Sequence, residues 1–186
     1  MITAPSRLET LVPPAQLRDS IDVDTFKSAF RMHPAGVSVI AADAGNGPAA
    51  MTISSLTSVS TEPPLVTFSL SALSWSTPVF LEADTVVVHL LGSEHLRLAQ
   101  LGATGRVDRF ADKSAWTRLP TGEPVFKETY AWLRGHIVNR LEAGNSVICV
   151  AHIVQASVPD AAAAETSVPL VYHGRTWHQL GTHSAI

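Results

Sequence analysis

The chain of 186 residues contains only one cysteine, so it cannot form an internal disulfide. Cys149 lies in the apolar run 147–150, and we expect it to be a small core residue of a cytoplasmic protein in a reducing compartment. No apolar run approaches eighteen residues, which excludes a membrane-spanning helix. The N-terminal segment carries three prolines but no basic start followed by an apolar block, so we expect no secretory signal there.

Blocks of lysine and arginine are also absent, and the formal net charge is −3. A protein without a basic patch is a poor partner for nucleic acid or for an anionic membrane surface, so we expect neither. Any phosphate group must then be held by a local set of side chains. With 46% hydrophobic residues, the chain has enough apolar material for the core of one ordinary domain.

Motifs for hydrolysis, metal binding and a Rossmann fold are missing or weak. No Gly-x-Ser-x-Gly sequence marks a nucleophilic serine. His173, His178 and His183 are spaced five apart, which suits neither a helical face nor a strand face, and we predict no metal site. The segment 45–50 matches Gly-x-Gly-x-x-Ala, but Pro48 and the β-prone residues after it disfavour the helix that a dinucleotide site needs.

Local patterns in the first third of the chain predict a helix followed by a hairpin. Asp24 can cap a short amphipathic helix that carries Phe26 and Phe30 on one face and ends at His33-Pro34. Two β-prone segments, 37–42 and 49 onward, flank a glycine-rich turn at 45–47, which predicts the hairpin.

Strand and turn patterns dominate the rest of the chain. The predicted elements are a strand with one polar face at 65–70, a helix starting at Ser76-Thr77-Pro78, a buried strand at 85–91, a helix from Ser93, a core strand at 147–154, a loop over 159–167 and a hairpin over 170–180 turning near Gly174. Strands outnumber helices and do not alternate regularly with them. This favours a mainly β fold, a closed or nearly closed antiparallel barrel, over a parallel sheet.

The most informative segment is a run of hydroxyl side chains over 52–61, followed by Glu-Pro-Pro-Leu-Val at 62–66. Short uncharged hydroxyls offer many hydrogen-bond donors to an oxygen-rich ligand such as a phosphate ester. Hydroxyls within 52–55, at Ser69 and at Ser76-Thr77 are therefore candidate ligand contacts. The alternative is a threonine-rich strand edge or a polar loop, because serine and threonine are common where turns meet strands.

The segment 47–66, with its Ser-Leu-Thr-Ser-Val-Ser and Pro-Pro-Leu-Val pieces, resembles the signature of the short-chain flavin reductases, the reductase components of two-component monooxygenases. Further matching pieces follow in the expected order at 34–37, 108–110, 131–133 and 169–172. The resemblance covers residues 22–181. We therefore expect an N-terminal arm at 1–21, which is loose or packed on a partner, and a C-terminal tail at 182–186.

This resemblance implies an antiparallel split β-barrel of the FMN-binding type with a few short flanking helices. It implies reduction of FMN or FAD by hydride transfer from NADH or NADPH to flavin N5, with no catalytic residue because the cofactors carry the chemistry. It also implies a homodimer and a partner monooxygenase that receives the reduced flavin. The implied flavin contacts are Met51, Thr52, Ile53, Ser54, Ser55, Ser69, Leu70, Ser71, Ser76, Thr77 and His89, and the implied border of the nicotinamide is Gly144, Asn145, Ser146, Tyr172 and His173.

Two positions depart from the family pattern. His89-Leu90-Leu91 stands where many members have Asn-Val-Leu, and His89 is either a flavin contact or a satisfied core histidine. Gly144-Asn145-Ser146 stands where members have Gly-Asp-His, which weakens the case for NADH use and leaves open an FMN-binding electron carrier or sensor. Arg109, in an intact Asp-Arg-Phe piece, either fixes a phosphate or anchors its loop by a salt bridge.

Overall fold

The structure, a computed structural model, describes residues 9–10, 20–160 and 166–186. The strands in these ranges are β1 Glu9–Thr10, β2 Ala35–Gly36, β3 Ser38–Asp43, β4 Pro48–Ile53, β5 Thr57–Thr61, β6 Pro64–Ser71, β7 Thr85–Leu90, β8 Trp116–Arg118, β9 Pro124–Phe126, β10 Ala131–Ala143, β11 Ser146–Ser157, β12 Leu170–His173 and β13 Thr176–Gln179. The helices are α1 Val23–Arg31, α2 Thr77–Glu82 and α3 Leu96–Ala103. Short 3-10 turns cover Ser93–His95 and Thr182–Ser184.

The main sheet has the strand order β4-β3-β7-β10-β11-β6-β5, and each of these neighbours pairs antiparallel. In the described residues β4 and β5 end this path without pairing with each other, so the sheet is open. β1 adds a short parallel pairing to β10, and two smaller sheets contain β13-β12-β2 and β8-β9. The predicted mainly β fold with few helices is confirmed, whereas closure of a barrel is not.

Successive side chains of the central strands point to opposite faces of the sheet, so the core consists of two clusters. On β3, Ile40 and Ala42 face one cluster, while Val39 and Ala41 face the other. The first cluster lies inside the main sheet and includes side chains from β4, β6, β7, β10, β11 and α2. The second lies behind β3 and includes Ala99 of α3 and Phe126 of β9. Central strands that are buried on both faces explain the continuous apolar runs in the sequence.

The cap of the first helix lies two residues before the predicted cap. The carboxylate of Asp22, not that of Asp24, accepts hydrogen bonds from the backbone N–H groups of Asp24 and Thr25, at 3.0 and 2.9 Å. The choice of Asp24 was therefore wrong, although the helix and its end before His33 are confirmed. None of the residues of α1 is buried, so its apolar face is exposed.

The glycine-rich turn at 45–47 connects β3 to another strand, β4, and no helix follows it. Gly45 and Gly47 have φ values of 100° and 112°, which side chains with a Cβ rarely adopt, and the Asp43 carboxylate accepts from both of their N–H groups. The hairpin prediction is confirmed. The Rossmann alternative is excluded because the required helix is absent at this place in the described chain.

The later predictions are confirmed as strands β6, β7 and β11 and as the hairpin of β12 and β13 around Gly174. The helix from Ser93 begins as a 3-10 turn before α3. Within the predicted arm and the predicted 159–167 loop, residues 1–8, 11–19 and 161–165 lie outside the described residues. No described helix has the length and apolar composition needed to span a membrane.

His89 connects three strands from a fully buried position on β7. Its Nε2 accepts from the backbone N–H of Phe126 on β9 at 3.0 Å, so the hydrogen is on Nδ1, which donates to the carbonyl of Val39 on β3 at 3.0 Å. Burial lowers the pKa of His89 to about 4, although the bond to Val39 opposes this change. The folded protein therefore holds a neutral imidazole.

We expect the stability of the protein to fall as the pH falls from 7 to 5. Unfolded His89 takes up a proton near pH 6.5, but folded His89 does so only near pH 4, so the unfolded state binds more protons in this window. The free energy of unfolding contributed by this group should drop by about 2 kcal/mol between pH 7 and pH 5. Urea unfolding at several pH values measures this change.

The matched variants for this test are His89→Asn and His136→Asn, the second at an exposed position on β10. The pH dependence should become shallower in His89→Asn and persist in His136→Asn. NMR titration of the wild-type His89 ring checks the same point without a variant. An imidazole that protonates near pH 6.5 in the folded protein would contradict the expectation.

Candidate functional site

The first hydroxyls of the run hold the fold together at the end of β4. Thr52 Oγ1 donates to the carbonyl of Ala99 on α3 at 2.6 Å. Ser55 Oγ accepts from the N–H of Ser69 at 3.0 Å and donates to its carbonyl at 3.4 Å. Because a hydroxyl has a single hydrogen, Thr52 and Ser55 have only acceptor capacity to offer a ligand while these bonds last.

The next hydroxyls join the end of β6 to the start of α2. Thr77 Oγ1 donates to the carbonyl of Ser71 at 2.7 Å, and Ser76 Oγ donates to the carbonyl of Ala50 at 3.3 Å. Ser76 occupies the cap position of α2, but its hydroxyl makes no cap bond. Both hydroxyl hydrogens are again used within the protein.

The turn between β10 and β11 lies beside the end of β6. The carbonyl of Asn145 accepts from the N–H of Ala72 at 2.9 Å, and Ser146 pairs with Ser71. Gly144 has a φ of 64°, which explains the glycine in this turn. The structure thus brings the predicted nicotinamide turn 144–146 next to Ser71, a predicted flavin contact.

Arg109 lines a cavity of about 590 Å³, here called the arginine cavity, whose lining is Pro48, Ala49, Ala50, Trp75, Ser76, Val79, Arg106, Val107, Asp108, Arg109 and Phe110. The guanidinium of Arg109 donates to the carbonyls of Gly102 and Thr104, at 3.3 and 2.7 Å, and to Ser76 Oγ at 3.3 Å. Three of its five N–H groups are engaged, and two remain. Arg109 therefore anchors its loop and keeps donors for a ligand.

The charge of Arg109 has no carboxylate partner within 4 Å among residues 20–160 and 166–186. The salt bridge that the sequence allowed as an alternative is therefore absent from this part of the chain. Burial lowers the pKa of Arg109 because it disfavours the charged form. A partly buried cation without a counter-charge is a suitable site for an anion such as a phosphate.

Ser54, Tyr172 and His173 meet in a second cavity of about 330 Å³, here called the hairpin cavity. The other lining residues are Phe26, Lys27, Phe30, Arg31, His33, Ala35, Gly174 and Arg175. The β12–β13 turn is fixed to α1 by the N–H of Gly174, which donates to the carbonyl of Arg31 at 3.0 Å. The cavity therefore combines an aromatic wall from α1 with several cationic side chains.

Four predicted contacts have side chains in the core. Met51, Ile53 and Leu70 belong to the inner apolar cluster, so these residues can offer a ligand only backbone groups. Both ring nitrogens of His89 are bonded to backbone groups, and the ring is 0% exposed. This favours the core-histidine alternative for His89.

Two residues at the arginine cavity have no counterpart in the sequence predictions. Trp75 is 72% exposed, and the guanidinium carbon of Arg106 lies 4.9 Å from the centroid of its ring. An aromatic residue between two serines is a weak signal for an exposed position, and no local pattern marks Arg106 as its partner. Their contact joins segments 31 positions apart in the sequence.

Other reactive side chains do not supply a different site. Burial raises the pKa of the Cys149 thiol to about 11, so it stays protonated at neutral pH and is a poor nucleophile. In the part of the chain that the structure describes, no three His, Cys, Asp or Glu side chains are grouped to hold a metal ion.

The charged, polar and aromatic groups described above fit a flavin nucleotide. Such a ligand needs a cation or N–H donors for phosphate, polar groups for its ribityl chain and ring edge, and an apolar wall for its ring. Arg109 can meet the first need, exposed Ser54 and Ser71 the second, and the aromatic wall of the hairpin cavity the third.

Comparison with known proteins agrees with this fit. The flavin reductase like domain matches residues 30–181. An NADH:FMN oxidoreductase of Rhodococcus qingshengii is 38% identical over 173 residues, covering 92% of this chain and 88% of the relative. The crystal structure of a flavin reductase domain protein from Arthrobacter sp. FB24 has a TM-score of 0.78 and 32% identity, covering 85% of this chain and 95% of that one.

A reductase component of a 4-nitrophenol 4-monooxygenase/4-nitrocatechol 2-monooxygenase from Rhodococcus opacus is 29% identical over 167 residues, covering 89% of this chain and 86% of the relative. The extent of the domain match and the 38% identity together define the family. This chain belongs to the flavin reductase like family.

The contact of Thr52 with α3 depends on a glycine. A Cβ at Gly102 would collide with Thr52 Oγ1 and lie 3.0 Å from Thr52 N, whereas a Cβ at Gly105 would meet nothing within 4 Å. We expect Gly102→Ala to lower the free energy of unfolding on the order of 1 kcal/mol, because the clash outweighs the helix propensity that alanine adds. Gly105→Ala should be nearly neutral. Urea denaturation of both variants measures this, and a stabilised Gly102→Ala would contradict the close packing.

Proposed function

We propose that this protein catalyses the NAD(P)H-dependent reduction of FMN or FAD and supplies the reduced flavin to a partner monooxygenase. The observation that carries the proposal is the Arg109 guanidinium, which donates to Ser76 and has no carboxylate partner among the described residues, in a chain of the flavin reductase like family. The Rhodococcus relative named as an NADH:FMN oxidoreductase supports the activity, and the relative named as a monooxygenase reductase component supports the partner.

Bound flavin supplies an N5 position that accepts hydride, and the protein binds, orients and shields the reactants. Arg109 holds the flavin phosphate with its two remaining N–H donors. Backbone groups of 51–55 and the hydroxyls of Ser54, Ser69 and Ser71 meet the ribityl chain and the polar ring edge. No side chain acts as a general acid or base.

The nicotinamide lies against the turn 144–146 and against Tyr172 and His173. Asn145 and Ser146 replace the acid and the histidine of the family pattern, so the aromatic surface comes instead from Tyr172, whose ring packs 4.8 Å from that of Trp177. A surface for stacking therefore remains near Ser54, although Ser146 replaces the histidine of the family pattern.

The first test is titration of the purified protein with FMN and FAD, followed by anaerobic addition of NADH or NADPH. We expect flavin fluorescence to change with saturation and the flavin absorption band to bleach rapidly. Binding without bleaching would instead identify an electron carrier or sensor whose nicotinamide turn has been lost. Absence of binding would mean that the hydroxyl run has only a structural role.

A pair of arginine variants assigns the phosphate contact. Arg109→Gln should raise the Kd of both FMN and FAD roughly 10- to 100-fold, since a charged hydrogen bond contributes about 1.5–3 kcal/mol. Arg97→Gln removes the same charge from an exposed position on α3 and should leave both Kd values unchanged. Equal effects of the two substitutions would mean that only overall charge matters.

The proposal also includes the closure of the sheet, the bounds of the domain and the location of the protein in the cell. We propose that the open sheet is a split barrel, because β4, at one end of the sheet, and β6, next to the strand at the other end, contribute Met51 and Phe68 to the same inner cluster. Residues 22–181 form the functional domain, with 1–21 as an arm and 182–186 as a tail. Cytoplasmic localisation stays a prediction from the single buried thiol of Cys149.

The protein also forms a homodimer through the apolar face of α1. Phe26 and Phe30 are 53% and 60% exposed, with their rings 4.8 Å apart, and Val23 and Met32 extend the exposed apolar surface. An amphipathic helix that buries none of its residues leaves apolar area for a second surface to cover. A second copy of the chain is the partner that the family resemblance favours.

We expect the double substitution Phe26→Glu and Phe30→Glu to convert a dimer into a monomer, because two charges would have to be buried at the interface. Ser28→Glu, on the opposite side of α1, should leave the mass unchanged. Light scattering after size exclusion measures the molar mass. A monomeric wild type, or a double variant that stays dimeric, would contradict this interface.

A further inference from the structure

Two consecutive residues of the loop before α2 contact two arginines of the loop after α3. The ring of Trp75 lies under Arg106, and the hydroxyl of Ser76 accepts from Arg109. Since Trp75 and Ser76 are neighbours, this pairing puts a flat cation-aromatic stack beside a partly buried guanidinium. All four residues line the arginine cavity.

The contact between Trp75 and Arg106 contributes little to the stability of the fold. Trp75 is 72% exposed, so its ring gains little from burial. Arg106 has a φ of 59°, a left-handed conformation that costs free energy for a residue with a side chain. An exposed indole and a strained backbone that meet at a cavity indicate a binding role.

The local charge is also uncompensated. Neither Arg106 nor Arg109 has a carboxylate within 4 Å among the described residues, although the whole chain has a net charge of −3. The one acidic residue in the lining is Asp108, and its carboxylate accepts from the N–H of Phe110 at 2.9 Å. Two cations that line one cavity suit a ligand with two phosphate groups.

We infer that the stack of Trp75 and Arg106, together with Arg109, is a subsite for the adenosine diphosphate moiety of FAD. Adenine has a π-face that stacks on an indole or on a guanidinium plane, and the two arginines of the cavity supply cations for the pyrophosphate. FMN has no adenine and only one phosphate, so the stack adds affinity for FAD alone.

This inference rests on the proposed function, because it extends the flavin site. The arginine cavity includes Ser76, and Thr77 next to it is bonded to Ser71, so the subsite is continuous with the predicted flavin contacts. The predicted nicotinamide residues Tyr172 and His173 line the other cavity. The arginine cavity contains Ser76, a predicted flavin contact, and none of the predicted nicotinamide residues, which favours FAD over NADH as the source of the adenosine diphosphate group.

The test compares Kd values for FAD and FMN in the wild type, Trp75→Ala and Arg106→Gln. We expect each substitution to raise the Kd of FAD about 10-fold, which corresponds to the loss of one stacked base, and to change the Kd of FMN less than twofold. The matched control is Leu73→Ala, which alters an exposed residue of the same loop outside the cavity lining. Equal changes for FAD and FMN would overturn the inference, as would no change for either.

A second measurement uses adenosine diphosphate alone and needs no enzymatic turnover. Saturable quenching of the tryptophan fluorescence by adenosine diphosphate is expected in the wild type and in Leu73→Ala. It should be lost in Trp75→Phe, which keeps an aromatic ring but removes the indole reporter, and weakened in Arg106→Gln. Absence of quenching in the wild type would overturn the subsite.

The outcomes separate this inference from the proposed function. If the wild type binds neither flavin, the proposed function fails, and the experiment with adenosine diphosphate still decides whether the subsite exists. If flavins bind and are reduced but Trp75→Ala leaves the ratio of the two Kd values unchanged, only the inference fails. If Trp75→Ala raises the KM for NADH and spares FAD, the assignment to FAD is overturned.

Discussion

The bridge made by His89 is the interaction on which the arginine cavity depends. Its neutral ring accepts from the N–H of Phe126 and donates to the carbonyl of Val39, so it fixes β9 against the centre of the main sheet. The ring of Phe126 stacks on that of Phe110 at 5.1 Å, and Phe110 directly follows Arg109. A protonated ring could not accept the bond from Phe126, and the buried charge would be costly. The position of the partly buried Arg109 cation is thus linked to the protonation state of the buried His89 imidazole.

Some hydroxyls of the run form hydrogen bonds within the protein, whereas others remain available to a ligand, and composition alone does not distinguish them. Thr52 and Ser55 tie the end of β4 to α3 and β6, and Thr77 ties α2 to the end of β6. Hydrogens that satisfy buried or half-buried carbonyls are not free for a ligand without loss of stability. The hydroxyls therefore form a rigid frame, and the loops around it supply the charge. Ser54, exposed between these fixed positions, keeps its hydroxyl for the hairpin cavity.

Local patterns in the sequence were sufficient to predict most strands, because strands buried on one or both faces leave a short-range signal of alternation or of continuous apolar residues. The cap of α1 was missed because Asp22 and Asp24 are equally suitable acceptors, and only the backbone conformation distinguishes them. Contacts between distant segments leave no such signal. The bond from Thr52 to Ala99 spans 47 residues, and the pairing of Trp75 with Arg106 joins two loops. The sequence therefore indicates which segments to consider for a site, whereas the contacts of individual side chains across those segments could not be predicted, and the binding roles stay a prediction.

The proposed dimer and the proposed site share residues, which couples assembly to binding. Phe26 and Phe30 form both the exposed apolar face of α1 and one wall of the hairpin cavity that contains Ser54 and Tyr172. A second copy covering α1 would narrow this cavity and exclude water from it, which strengthens polar contacts inside. The arginine cavity, on the other loops, contains no residue of α1. Assembly should therefore affect the nicotinamide side of the site more than the phosphate side, so that loss of the dimer weakens turnover while much of the affinity for flavin remains.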